Sequence, residues 1–463
     1  MAEPGTPSLA ERVWVAARAI RREHLPQSVV DKVADLALDT LGVAIGSAGL
    51  EFGRGTRELV RAWGSRGDSS AIGESERVPA HAAALVNGVL AHGQDYDDTH
   101  TESVTHPSAC IVPAVLAVAE ARAASGRDAL VAMAAGYETM IRLALPARNQ
   151  FHLHGFHTTS ITGTFAAALT TALLHDADGR VGLDAIGVAG SFTSGLLECV
   201  PAGAGAKRLH AGWAAMGGIL AHDFASRGLT GPGSVFEGRL GVYNSFVRGE
   251  RIDLDEVLRG FGEDWTVLDT RPKLYACCHY LQAFIDCART LRTAHGVRAS
   301  DVVSIRCRVA AGSVNMICTP WVAKQAPKDA YEAKFSLPFA VALGLSQDEI
   351  AAPDFSVDVA RRPPIAGLMA KASFEVDPAY TVKDMPGDVE VVLADGRRER
   401  AVLERVRGDR ASPVGRDELL RKFRSNLEGT AQARRADEIA AKILELDAQP
   451  DFRSLGALLR GAR

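Results

Sequence analysis

Apolar residues recur at helical spacing along most of the first half of the chain. Val29, Val33, Leu36, Leu41 and Val43 form one such stripe, ended by the glycines at 46 and 49, and predict a helix over 28–46. The same period predicts helices over 8–24, 57–63, 82–92, 109–124, 128–145, 158–175, 183–198 and 210–227. Pro79 opens the 82–92 helix, a position where the missing amide proton would be unbonded in any case. The many Ala and Gly residues in these stretches allow close helix packing and imply a compact helical core.

The period changes after about residue 265. Residues 302–309 alternate as a half-buried strand and 372–376 form a second candidate, while 388–394 and 397–406 predict a hairpin about Asp395 and Gly396. Helices are expected between them, over 277–294 and 329–343, and the helical pattern returns from Arg416. The expected fold is therefore mainly α with a smaller α+β part: a large helical domain over 1–265, an α+β domain over 266–410, and C-terminal helices over 411–463 that return to the helical domain. No fixed repeat or low-complexity stretch interrupts this plan.

Composition narrows the partners. With 463 residues, 47% of them hydrophobic, and a formal charge of -4, the chain can bury a large core and shows no basic stripe for nucleic acid. A small molecule is the expected ligand. The seven cysteines show neither a CxxC pair nor a zinc spacing and read as reduced thiols. The first 24 residues have no apolar core after a basic start, and no later apolar stretch spans a membrane unbroken, so a soluble, cytoplasmic protein is expected.

The candidate chemistry is concentrated in four stretches. DYDDTHTESVTHPSACIVP, over 95–113, packs acids and histidines between two apolar helices, which folding alone does not require. Asp95 and Thr99 are expected in a pocket, whereas Asp97 and Asp98 are divided between that role and capping the helix after Pro107. A magnesium-dependent prenyl-transfer reading needs a second acidic motif, and the sequence has none. PAGAGAKRLHAG, over 201–212, lacks the glycine spacing of a phosphate loop but sets Lys207 beside a helix start, as an anion site would. In FHLHGFHTT, over 151–159, the histidine spacing matches no metal set; His157 suits acid/base work, and His152 and His154 are expected to be structural or exposed. RPKLYACCHYLQAFIDC, over 271–287, places Lys273 before Cys277, Cys278 and His279, with buried thiols or a reactive Cys278 as alternatives.

Together these stretches resemble the MmgE/PrpD family, which includes 2-methylcitrate dehydratase, cis-aconitate decarboxylase and iminodisuccinate epimerase. LVNGVLAHGQDYDDTH, HPSACIVPA, GFHTTSITGTFAAA, KRLHAGWAAMGG, RPKLYACCH and EAKFSLPFAVA follow one another in the family's order. The resemblance implies a large helical domain built from both chain ends, a smaller α+β lid domain, a homodimer, and catalysis on a small di- or tricarboxylate without metal or organic cofactor. It also implies catalytic roles for Asp95, His106, His157, Lys207 and Lys273, and substrate contacts for Thr99, Lys207, Lys273, Cys278 and His279. In the animal cis-aconitate decarboxylases a histidine follows the later lysine by five residues; here Cys278 stands there and His279 comes next. Dehydration is therefore the expected reaction, by proton abstraction next to a carboxylate. An epimerase of a dicarboxylate such as iminodisuccinate is the alternative, and decarboxylation, a prenyl-transfer enzyme or an inactive carboxylate-binding protein stand behind it.

Overall fold

Small residues let the helices of the first half approach to backbone contact. In the computed structural model, which describes residues 6–461 apart from 201, 203 and 250, a Cβ on Gly88 would meet the Cα of Gly212 at 2.6 Å, and one on Gly212 would meet the Leu85 carbonyl oxygen at 2.4 Å. The helices Ala80–His92 and Leu209–Ala225 therefore cross where neither carries a side chain. A similar approach sets Gly163, in Thr158–Leu174, against Cys110, in Ser108–Arg122. These helices are buried around nearly their whole circumference, as expected of apolar helices at the centre of a bundle.

Two units are distinguished, one of residues 1–272 with 415–463 and the other of 273–414. The first is helical. Its C-terminal helix Arg416–Leu427 packs on Gln27–Ser47: Phe423 fills the space that a side chain on Gly42 would need, and Lys422 pairs with Asp39 at 2.6 Å.

The second unit contains a four-stranded sheet in the order Ala372–Val376, Val302–Val309, Gly387–Leu393, Arg398–Leu403. The first pair is parallel and the others are antiparallel. The last two strands meet at the expected hairpin, where Gly396 takes a φ of +85 that an L side chain would resist. Helix Gln282–Thr293 lies so close to this sheet that a Cβ on Gly387 would meet the Ala283 backbone at 2.4 Å. The observed fold is mainly α with a smaller α+β part, as the periodicity and the resemblance led us to expect.

Several boundaries differ from the pattern, each for a local reason. The helix expected over 183–198 is Gly179–Ala189: Asp178 caps its start by accepting from the Val181 amide, and Gly195, at φ +109, turns the chain beyond it. The helix expected over 329–343 is split into Ala330–Ala333 and Leu337–Ser346, because Ser336 caps the second piece and Pro338 fits its first turn. The helix expected from 277 begins at Gln282, after a single turn over His279–Leu281. The stretch 8–24 forms Leu9–Ala19 and a separate turn, Arg22–His24, whereas the short helix expected over 57–63 begins at Glu51. Of the loop over 201–212, Pro201 and Gly203 lie outside the described residues, as do residues 1–5 of the N-terminal stretch. Among the described residues no single helix is long and apolar enough to cross a membrane.

Candidate active site

Helix Ala80–His92 stops at Gly93, and the chain turns through Asp95, whose φ of 56 is left-handed and tolerated by aspartate better than by most residues. The loop beyond it is held from three sides. Lys422 donates to the Tyr96 carbonyl oxygen at 3.0 Å and lies 3.8 Å from the centre of its ring. Asp98 accepts from the amide and hydroxyl of Ser108 and so caps helix Ser108–Arg122, while the same hydroxyl bonds Tyr137. Thr99 and His100 pair with Arg271 and Thr270 in a short antiparallel ribbon. His100 accepts from the Ser103 amide at 3.2 Å, which closes the turn before His106 and gives this histidine a structural task.

Two histidines in this region have their tautomers set by acceptors. His106 Nδ1 lies 2.7 Å from the Asp98 carbonyl oxygen; a carbonyl only accepts, so Nδ1 carries a proton, and in the neutral ring Nε2 has the lone pair. His92 Nδ1 lies 2.7 Å from Asp97 Oδ2, inside the bundle, and that same oxygen is 3.7 Å from His106 Nδ1. Thr99 Oγ1 approaches His106 Nδ1 at 3.3 Å.

The next two helices add more imidazoles. His157 caps helix Thr158–Leu174, with its amide held by the Gly195 carbonyl at 2.8 Å, and its Nδ1 is 3.1 Å from Nδ1 of His210, so one ring donates and the other accepts. The ring of His157 lies 5.4 Å from His92, 6.0 Å from His106, 5.7 Å from His152 and 5.2 Å from His210, centre to centre. Lys207, in the turn Gly205–Arg208, pairs with Asp95 at 3.3 Å.

Burial and neighbouring positive charge decide the protonation of much of this cluster. Loss of hydration, followed by the charges of His92 and Lys207, holds His157 well below its ordinary 6.5. The same causes lower His210 to about 4, and burial with the Lys207 charge lowers His152 to about 4. All three are neutral imidazoles at pH 7. Asp98 moves the other way: burial first, then Asp97 and Asp39, raise it to about 7 against the bonds from Ser108.

These shifts predict a pH dependence of stability. His152, His157 and His210 are harder to protonate folded than unfolded, so between 6.5 and about 4 the unfolded chain binds more protons and acid favours unfolding. Asp98 opposes them: its contribution is complete below its unfolded value of 3.8 and is lost as pH rises through about 7. Within this cluster the three imidazoles outnumber Asp98, and their contribution to the unfolding temperature is expected to fall as pH drops from 6.5 towards 4.5. His152→Gln should flatten that fall, as a thermal melt series will show.

Of the residues expected from the sequence, Asp95, Thr99, His106, His157 and Lys207 are drawn into this region, although Asp95 and Lys207 are 112 residues apart in the chain. Lys207, expected beside an anion, is paired in this structure with the Asp95 carboxylate. Asp97 supplies a carboxylate bonded to a histidine of this region, His92. His154 is exposed, and His152 is half-buried beside His157 with its Nδ1 2.8 Å from Thr158 Oγ1, a structural contact within the range expected. His92 and His210 were not singled out from the sequence. One stands at the end of an apolar helix, five residues before its carboxylate, and the other follows Lys207 by three, and neither spacing signals a partner.

His92, Asp97 and His106 each bring one possible metal-ligand atom within 4.8 Å of the others. Two of these side chains nevertheless approach to 2.7 Å, closer than the roughly 3.3 Å between ligand atoms at a tetrahedral zinc with bonds near 2.0 Å, and His106 Nδ1 carries a proton. The arrangement is a hydrogen-bonded one.

Lys273, Cys278 and His279 lie in the second unit, where all three are buried. The Cys278 amide donates to the Lys334 carbonyl at 2.9 Å and the residue precedes only a single turn. A helix N-terminus that would activate its thiol is therefore missing, because the α-helix starts at Gln282.

Residues 13–255 match the sequence profile of the MmgE/PrpD N-terminal domain, and residues 275–446 match that of the MmgE/PrpD C-terminal domain. The chain belongs to the MmgE/PrpD family. Relatives of this MmgE/PrpD protein include the cis-aconitate decarboxylase of Aspergillus terreus, 24% identical over 462 residues that cover 94% of this chain and 93% of the relative. The human cis-aconitate decarboxylase is 25% identical over 470 residues, covering 98% and 95%. Membership and these relatives support a lyase-type family, with the likeness covering more than nine-tenths of both chains.

Proposed function

We propose that this MmgE/PrpD protein is a lyase of small di- or tricarboxylates that removes a proton beside a carboxylate and expels a β-hydroxyl as water, as in dehydration of 2-methylcitrate. The observation that supports the reading is the pairing of a neutral, buried His157 with a tautomer-fixed His106 next to the Lys207 ammonium. Two titratable groups held in different environments are what acid/base chemistry at neutral pH requires.

In this mechanism Lys207 draws a substrate carboxylate and stabilises charge on the enolate-like intermediate. His157, with Nδ1–H given to His210, takes the proton at Nε2. His106 starts protonated at Nε2 and gives that proton to the departing hydroxyl as the carbon–oxygen bond breaks, so that water leaves and an alkene remains. Asp95 holds Lys207, and Thr99 donates to the substrate. Lys273, Cys278 and His279 are proposed as substrate contacts on the family resemblance alone, as is a homodimer.

A second reading, decarboxylation of a cis-aconitate-like substrate, is favoured by the names of the relatives. Cys278 in place of the histidine after Lys273 weighs against it. Proton NMR in D₂O of EDTA-treated protein with 2-methylcitrate, citrate, cis-aconitate and iminodisuccinate separates the possibilities. Loss of water to an alkene is the expected result. Loss of carbon dioxide from cis-aconitate would establish the second reading, deuterium uptake with inversion would make the protein an epimerase, and silence from folded protein would remove all these substrates.

A further inference from the structure

The mechanism needs one histidine that can hold a proton among several that burial keeps neutral. Burying an imidazolium is costly unless a carboxylate meets it. Asp97 is the carboxylate in position to do so: it is fully buried, with Oδ2 2.7 Å from His92 Nδ1 and 3.7 Å from His106 Nδ1. His92 has its Nε2 buried and, among the described residues, without a hydrogen-bonding partner, and its ring lies 5.1 Å from His106 and 5.4 Å from His157. A polar atom left bare in a core is expensive unless its site has a use for it.

We propose that Asp97 and His92 form a buried positioning pair whose negative charge lets His106 carry the proton that the reaction delivers. Both residues lie in the stretch LVNGVLAHGQDYDDTH, but the resemblance assigned neither a catalytic role nor a substrate contact. Asp97 faces both rings and favours a positive charge on either; His92, bound through Nδ1, fixes the carboxylate so that Oδ2 stays between them. The pair acts through His106 and does not touch the substrate. Other titratable groups surround it: Asp98, Cys110 and Tyr137 from the Ser108–Arg122 and Gly126–Ala144 side, Asp39 from Gln27–Ser47, His157 and His152 from the Thr158–Leu174 side, and His210 and Lys207 from the turn and helix at 205–225. Of these, Asp39 and Asp98 are the other acids, and Asp98 spends its carboxylate on Ser108.

This inference rests on the acid/base reading above, so its test has one arm with substrate and one without. In the first, kcat, KM and the pH profile of kcat are compared for the full-length wild type, Asp97→Asn and His92→Gln. Each variant is expected to lose about 10²-fold or more in kcat with KM changed less than about threefold. The basic limb of the profile should move to lower pH, because His106 is harder to protonate without the carboxylate. An unmoved limb, with loss only of folded fraction or melting temperature, would reduce the pair to structure and overturn the proposal. In the second arm, ¹⁵N-histidine NMR of the substrate-free chain follows His106. Its titration midpoint should fall in Asp97→Asn, and an unchanged midpoint overturns the proposal even when the wild type is silent on every substrate offered. A silent wild type with a shifted midpoint rejects the reaction and keeps the pair.

Discussion

Replacing His157 by asparagine is expected to lower kcat by about 10²- to 10⁴-fold, the usual contribution of a positioned acid or base. Asparagine is chosen because His157 is the capping residue of Thr158–Leu174, and asparagine is among the best residues at that position. The helix should therefore survive the change, and the loss should fall on turnover. His157 is kept neutral by its surroundings, which makes its lone pair available at neutral pH. The loss should consequently persist from pH 6 to pH 8, because protonation does not limit the wild-type base over that range. Full turnover in a folded His157→Asn protein would exclude this residue as the base and transfer the role to His106. Steady-state kinetics, with a melting curve as the control for folding, decide between these outcomes.

The second large effect concerns stability. Lys422→Met is expected to destabilise the helical unit by about 3–5 kcal/mol, because it leaves Asp39 charged, buried and without its cation. The pH dependence gives the test its sign. Burial already raises Asp39 above its ordinary value, so any contribution from its protonated form is lost as pH rises. Without Lys422 that rise should be larger, and the cost of the substitution should be greater at pH 8 than at pH 5. Denaturant unfolding at both values measures it. Asp39→Asn added to Lys422→Met should recover most of the loss, since removing both charges leaves no orphan. Because Lys422 also holds the Tyr96 carbonyl, the single variant should lose turnover as well, through the loop that carries Asp95 and Asp97.

The helical and strand segments were largely legible from periodicity, because the side chains that define a buried face lie within a few turns of one another. Strand 302–309 and the hairpin at Asp395 and Gly396 are found where the alternation places them. Misjudged ends, such as the 183–198 helix that stops at Ala189, were settled by single capping contacts or turns which periodicity averages over. His106, His157 and Lys207 were singled out from the sequence because their stretches break the apolar helical pattern and carry the family resemblance. His92 and His210 were passed over because each is one of a few scattered polar residues in a mainly apolar helix.

The sequence by itself determined the fold class, the family and the residue types available for acid/base work, all of which depend on patterns along the chain. Only the tertiary structure decided which charge meets which. Asp95 meets Lys207 across 112 residues, His157 meets His210 across 53, and the C-terminal Lys422 reaches the loop at Tyr96 across 326. The Gly88 and Gly212 crossing brings the two histidine-bearing helices together, and burial then separates neutral imidazoles from those beside a carboxylate. Desolvation and charge pairing are properties of a packed interior, and they come into existence only when residues distant in the chain exclude water together.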